Sequence, residues 1–357
     1  RAGPRVLGLR RAPAGPWDDG AMRVLLVTHP ASMDHDTGPN HPERPARVPA
    51  VVEGVRMSGL EVVDLQPPRA TTATLTLVHE EPYVTAVEHF CAAGGGALDP
   101  DTVARSGSWE AALRSAGAGP AAVAALQSGD ADVAFVATRP PGHHAMPARA
   151  MGFCLFNNIA ITARLLVDGG NRVAIVDWDV HHGNSTQDVF YGEPDVLYIS
   201  MHEFPAYPGT GWLHEGGTGE ASGMTVNFPW PTGTGGAPYR WGFDAIVHPV
   251  LEQFRPDWIL VSSGYDAHRA DPLAGIRLEA DDYRFMAGRI SRLVPSGHGI
   301  LFLEGGYDLS ALRASTAATL RGWEAGPVDD QVNDPGGGPA AEIAHRVALE
   351  TSRHWDL

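Results

Sequence analysis

The run Asp177-Trp178-Asp179-Val180-His181-His182-Gly183 closes an apolar stretch, Val173–Val176, with two carboxylates and two imidazoles. In an extended chain, residues two apart face the same side, so Asp179 and His181 point together. A hard carboxylate oxygen beside an imidazole nitrogen suits a divalent metal with positions left for water. Three further polar clusters end apolar runs in the same way. Arg139-Pro140-Pro141-Gly142-His143-His144 follows Val133–Ala137, Ser263-Gly264-Tyr265-Asp266-Ala267-His268 follows Trp258–Ser262, and Glu304-Gly305-Gly306-Tyr307 follows Ile300–Leu303. Asp266 adds a third ligand to Asp179 and His181 and leaves a site open for catalysis. The adjacent His143 and His144 offer a general base and then a general acid. Asp177 can orient a histidine or hold a second cation. Tyr307 can place a phenol on a developing oxyanion, and the preceding Gly305-Gly306 pair lets backbone approach closely. A lone aspartate after a strand is more often a cap or turn residue than a ligand. Four clusters holding acids, imidazoles and a phenol point to a hydrolase.

The elements that would position them alternate. Besides the runs named above, strands are predicted at Arg23–Thr28, Val196–Ser200 and Met224–Phe228. Helices are predicted at Pro45–Met57, Pro82–Ala92, Trp109–Leu126, Phe156–Leu166, Pro238–Phe254, Ala280–Leu293 and Leu309–Trp323. This alternation predicts an α/β fold with a central, mainly parallel sheet flanked by helices, ligands binding beyond the carboxyl ends of the strands. Residues 1–21 are rich in Arg, Ala, Gly and Pro and read as a flexible leader, with Met22 the expected natural start. Residues 22–325 read as one catalytic domain. Residues 326–357 read as a linker and a C-terminal helix, Ala340 to about Ser352, packing on that domain.

Composition narrows the function. The 357 residues carry a formal net charge of -16, which repels phosphate backbones and welcomes lysine-rich peptides or polyamines. Two cysteines, Cys91 and Cys154, form no disulfide framework, and no apolar run reaches membrane-spanning length, so the expected compartment is cytoplasmic. No Gly-x-Ser-x-Gly elbow or His-Glu-x-x-His helix appears, which disfavours serine hydrolases and common zinc peptidases. Gly94-Gly95-Gly96 and Gly233-Thr234-Gly235-Gly236 lack a phosphate-loop lysine and read as flexible turns.

From Met22 to about Trp323 the chain resembles the histone deacetylase and acetylpolyamine amidohydrolase family, with its arginase-like α/β fold. The matching motifs are Arg139 to His144, Gly152-Phe153-Cys154-Leu155-Phe156-Asn157-Asn158, Asp177 to Gly183, Tyr207-Pro208-Gly209-Thr210-Gly211, Ser263 to Pro272 and Glu304 to Tyr307. His41-Pro42-Glu43-Arg44-Pro45 resembles the class II branch and its bacterial relatives. The resemblance implies one zinc per chain on Asp179, His181 and Asp266, and His144 as main proton carrier with His143 beside it. It implies Asp177 as partner of His143, Asn184 as partner of His144, and Tyr307 polarising the acyl carbonyl. The Gly152 carbonyl would accept the scissile amide N–H, while Phe153 and Tyr207 would wall a tunnel for an acyl-lysine stem; for Tyr207 alone, core packing is nearly as good a reading. It also implies potassium near Asp177, Asp179, His181, Ser200 and Met201. His182, His202 and His268 are expected to be structural.

Two departures stand out. Ser185 replaces the glycine usual after His-His-Gly-Asn, and would be strained if that position needs a positive φ. Leu273 stands where polyamine deacetylases tend to carry a glutamate, which favours acyl-lysine peptides or proteins, or another small acylated amine, over acetylpolyamines. Acetylpolyamine deacetylation by the same chemistry is the alternative. A two-manganese ureohydrolase would want an Asp-x-His-x-Asp run, and an idle acyl-lysine reader would not need the complete site. The sequence leaves open the native metal, acyl length and oligomeric state, a homo-oligomer included.

Overall fold

The computed structural model describes residues 22–328 and 332–357; the expected leader at 1–21 lies outside the described residues. Among the described residues there are ten strands: β1 Arg23–Val27, β2 Glu61–Leu65, β3 Gly95–Ala97, β4 Val103–Arg105, β5 Val133–Val136, β6 Val173–Asp177, β7 Val196–Glu203, β8 Thr225–Trp230, β9 Trp258–Ser263 and β10 Gly299–Leu303. Eight form one sheet in the order β2-β1-β5-β10-β9-β6-β7-β8, and every pairing is parallel. The inner strands are buried throughout because helices cover both faces, so they read as continuous apolar runs rather than alternating ones. One core cluster joins Val176, Ile199, Val261 and Leu301 on one face; another joins Ile175, Tyr198, Leu260 and Ile300 on the other.

The order of the strands decides where the chemistry goes. The four polar clusters follow β5, β6, β9 and β10, which sit side by side as β5-β10-β9-β6. Asp177 pairs with Ser262 on β9 and Ser200 on β7, while Leu303 pairs with Ser263, so these strands end level. Loops leaving them converge on one patch at the carboxyl edge.

Several boundaries differ from the sequence reading. The helix expected at Phe156 starts at Asn158, because Asn157 caps it, its side chain accepting from the Ala160 N–H at 3.0 Å. The helix expected across Pro238–Phe254 contains a π-helical turn at Phe243–Val247. Gly95 and Gly96 are not a flexible turn: they belong to β3, which pairs antiparallel with β4. Ser185 lies in a helix absent from the sequence reading, Asn184–Phe190, and is not among the residues of positive φ. The strain expected there does not arise; its hydroxyl instead donates to the Ala145 carbonyl. The tail helix, Pro339–Thr351, packs against β8 and the helix Gly236–Gly242.

Candidate active site

Each side chain of the site is placed by a strand end. From β6, Asp179 and His181 bend back over the sheet edge; from β9, Asp266 reaches them. His181 Nδ1 lies 3.2 Å from Asp179 Oδ1 and 3.1 Å from Asp266 Oδ2. One ligand atom from each of the three residues lies within 4.8 Å of the others. Both carboxylates are fully buried, and two buried acids beside an imidazole want a cation. Burial alone would lower the His181 imidazole, but its hydrogen bonds to the two carboxylates hold it well above the usual range. A divalent ion can take the place of that proton, so the donor set fits a metal. The glycines around it are a spatial necessity. A Cβ at Gly264 would come within 2.0 Å of Asp179 Oδ2, and one at Gly305 within 2.0 Å of Asp266 Oδ2.

The histidine pair sits beside this triad. His143 Nδ1 is 3.1 Å from Asp177 Oδ2, and His144 Nδ1 is 2.8 Å from Asn184 Oδ1. Burial would lower both imidazoles, yet their fates differ. The charges of Asp179, Asp177 and Glu304 outweigh burial at His143 and push it up to about 10. At His144, burial acts together with the charges of His143 and His181 and holds it well below 6.5. The two neighbouring imidazoles are thus driven in opposite directions, His144 toward the neutral form and His143 toward the charged one. Burial pushes Asp177 up to about 6 against the pull of His143. Burial also raises the Tyr307 phenol well above its ordinary range, so it remains a donor.

A pocket of about 200 Å³ opens over these groups. Its floor holds His143, His144, His181, Gly305 and Tyr307, and its walls are Gly152, Phe153, Tyr207 and Leu273 with Pro141 and Asp101. Tyr207 is 38% exposed and its ring stands 5.1 Å from that of His144, so it is a wall of the pocket and not core packing. Phe153 meets Tyr307 edge to face at 5.9 Å. Its φ of 67° is rare for an aromatic residue and turns the ring toward the pocket. Gly152 is required by contact: a Cβ there would lie 2.4 Å from His144 Cδ2. Leu273 sits at the rim, 43% exposed.

The potassium candidates flank the same strand end. Asp177 pairs in register with Ser200, both Ser200 and Met201 are fully buried, and the Met201 carbonyl accepts from the Tyr239 hydroxyl at 3.5 Å. His182 and His202 lie behind the triad with their ring nitrogens occupied, and His268 Nδ1 accepts from the Ala270 N–H at 3.1 Å, fixing its loop.

Two features escaped the sequence reading. Asp101 reaches the pocket from the turn of the β3-β4 hairpin, where Asp99 Oδ1 accepts from the Asp101 and Thr102 N–H groups. The Asp-Pro-Asp run there was the available turn signal. Glu43, fully buried, forks onto Arg139 and also takes Arg47 Nη1 at 2.9 Å. Arg47 then holds the Gly306 carbonyl at 2.7 Å and the Glu304 carbonyl, and Glu304 Oε2 accepts the Gly142 and His143 N–H groups at 2.7 and 3.2 Å. The i,i+4 spacing of Glu43 and Arg47 was legible; the partner 96 residues away was not.

A family model described as the histone deacetylase domain matches residues 41–323. "Histone deacetylase 10, chloroplastic" of Oryza sativa subsp. japonica is 40% identical over 324 residues, covering 84% of this chain and 72% of that one. A "probable deacetylase" of Archaeoglobus fulgidus is 39% identical over 80% of this chain and 81% of its own. The "histone deacetylase-like amidohydrolase" of Pseudomonas aeruginosa is 36% identical over 94% and 85%. Among solved structures, the crystal structure of the HDA15 HD domain superposes with a TM-score of 0.86 at 31% identity, covering 94% of this chain and 95% of that one.

Proposed function

The chain belongs to the histone deacetylase family of hydrolytic deacetylases, and from that premise we propose that it is a zinc-dependent amidohydrolase that removes acetyl or short acyl groups from lysine side chains. The observation that carries this reading is that His144, His181 and Tyr307 line one pocket of about 200 Å³, with Asp179 and Asp266 gathered about His181 behind it. We take residues 22–325 as the catalytic unit and residues 326–357 as linker and helix.

Zinc, held by Asp179, His181 and Asp266, would supply the Lewis acidity that polarises the acyl carbonyl and acidifies water. His144 Nε2 takes a proton from the attacking water as its oxygen bonds to the acyl carbon. The Tyr307 O–H donates to the carbonyl oxygen as charge gathers there. The C–N bond then breaks, and the histidine pair returns the proton to the departing amine. The Gly152 carbonyl accepts the amide N–H and fixes the substrate's orientation. Phe153 and Tyr207 enclose the apolar stem of the acyl-lysine and exclude water. Asp177, Asp179 and His181, with Ser200 and Met201, would hold potassium largely through backbone carbonyls. Leu273 offers no charge to a second ammonium group, which favours acyl-lysine over acetylpolyamine. Among the described residues no helix is long and apolar enough to cross a membrane.

The test is hydrolysis of acetyl-lysine peptide, acetylspermidine and acetylputrescine by protein loaded separately with Zn(II), Fe(II), Co(II) and Mn(II), with a chelator control. Metal-dependent cleavage that prefers the peptide is expected, and Leu273→Glu should move preference toward the polyamines. No cleavage of any substrate with any metal would sink the reading.

A further inference from the structure

Asn184 turns the two ends of one amide to two different neighbours. Its Oδ1 meets His144 Nδ1 at 2.8 Å. Among the described residues its Nδ2 has only sulfur to donate to, Met146 Sδ at 3.2 Å and Met151 Sδ at 3.7 Å. A half-turn of a carboxamide exchanges oxygen and NH2 at almost no steric cost. The two orientations have opposite effects on His144. With Oδ1 toward it, Nδ1 carries the proton and Nε2 keeps its lone pair for the pocket. With NH2 toward it, Nδ1 becomes the acceptor, the proton moves to Nε2, and that nitrogen can no longer take one from water.

His144 cannot make the choice, because either tautomer satisfies it. The thioethers can: sulfur accepts weakly and has no proton to offer an amide oxygen. Asn184 is buried, so bulk water does not do this for it. The sulfurs are themselves held in place. The Met146 N–H donates to the Arg149 carbonyl at 2.9 Å, Met151 pairs with Cys154, and Arg149 Nη2 donates to Met151 Sδ at 3.2 Å. We propose that Met146 and Met151 are positioning residues for proton transfer: their sulfurs hold the Asn184 amide in the orientation that leaves His144 Nε2 unprotonated. The proposal rests on the reading of His144 as proton acceptor.

It has a specific signature. An aspartate at 184 has no N–H and presents an acceptor either way round, so the sulfurs matter only while residue 184 is asparagine. The test is a double-mutant cycle in the zinc-loaded enzyme, combining M146L/M151L with N184D. Leucine nearly conserves the volume of methionine. With Asn184 present, M146L/M151L should lower kcat about five-fold, the scale of one modest hydrogen bond, with KM little changed. With N184D present, the same pair of substitutions should leave kcat within about two-fold. Nitrogen-15 NMR of the imidazoles gives a readout apart from turnover, which also serves if N184D folds poorly. His144 should be a single Nδ1–H tautomer in the parent protein and a mixture in M146L/M151L. Equal losses in both backgrounds, no loss in either, or an unchanged tautomer in M146L/M151L would overturn the proposal. Full activity in His144→Ala would instead overturn the reading beneath it.

Discussion

Two pairs of neighbouring, tilted histidine rings lie within one site region, and their ring nitrogens are used differently. The rings of His143 and His144 are 4.0 Å apart and those of His182 and His202 are 4.7 Å apart. All four are buried. In the second pair every ring nitrogen is spent on the protein. His202 Nε2 donates to the Gly211 carbonyl at 2.9 Å, so its Nδ1 accepts from the Ser200 hydroxyl. Glu215 takes the Gln187 NH2 at 2.7 Å, which leaves Gln187 Oε1 to accept from His182 Nε2 at 3.0 Å. Burial then pushes His182 down to about 4 and His202 well below its ordinary range. These two imidazoles are neutral struts. In the first pair one nitrogen of each ring is fixed, by Asp177 or Asn184, while both residues line the pocket. On the proposed function, what separates a proton carrier from a strut is the nitrogen left over, and proximity in sequence does not encode it.

The largest expected effect tests the carrier. His144→Ala should lower kcat by about 10²- to 10⁴-fold, with bound metal, measured by elemental analysis, unchanged. If turnover survives, the first pair is no more catalytic than the second. Tyr307→Phe comes next. It removes one donor to the developing oxyanion and should cost about 10²- to 10³-fold in kcat, again without loss of metal. A fall confined to KM would reassign the phenol to substrate binding. Asn184→Asp is smaller and changes pH dependence. In the proposed mechanism His144 acts unprotonated, so activity should be lost as pH falls through its pKa, which burial and the charges of His143 and His181 hold low. A carboxylate at 184 favours the protonated form and raises that pKa. The acid limb of kcat/KM should therefore move to higher pH. A profile that stays in place would detach Asn184 from His144.

This comparison also marks what the sequence encodes and what it does not. Asp179, His181, Asp266, His143, His144 and Tyr307 were legible because each cluster ends an apolar run, and strand ends in parallel sheets are where ligands bind. That β10 and β9 insert between β5 and β6, and so bring the clusters into contact, follows from long-range packing that no local pattern announces. The helix Asn184–Phe190 was missed because seven mostly polar residues show no amphipathic period, and it is this helix that sets Asn184 against His144. β2 was missed because it is a half-exposed edge strand carrying Glu61 and Asp64. Asp101 was hidden in a hairpin of three-residue strands built partly on glycine, too short to register as strand. The sulfurs facing Asn184 had no signal at all, since methionine in a loop reads as packing.

The smallest expected effect on turnover, and the sharpest on the comparison, comes from His182→Ala. The residue adjoins His181 in sequence, yet its ring points away to Thr210 and Gln187 at 2.8 and 3.0 Å. Removing it leaves the hydroxyl of the exposed Thr210 to water and Gln187 Oε1 with the Asn227 NH2 alone. The cost should appear as stability, about 1–3 kcal/mol from the lost hydrogen bonds and the cavity a buried ring leaves, read as a lower Tm of the metal-loaded protein. Turnover at a temperature well below that Tm should fall less than ten-fold, the range of a modest disturbance relayed to the neighbouring ligand. His144→Ala should show the converse, a small change in Tm and a collapse of kcat. If His182→Ala instead matched His144→Ala in kcat with its Tm intact, filled ring nitrogens would not be what makes a histidine structural here, and the proton path would have to run through the second pair.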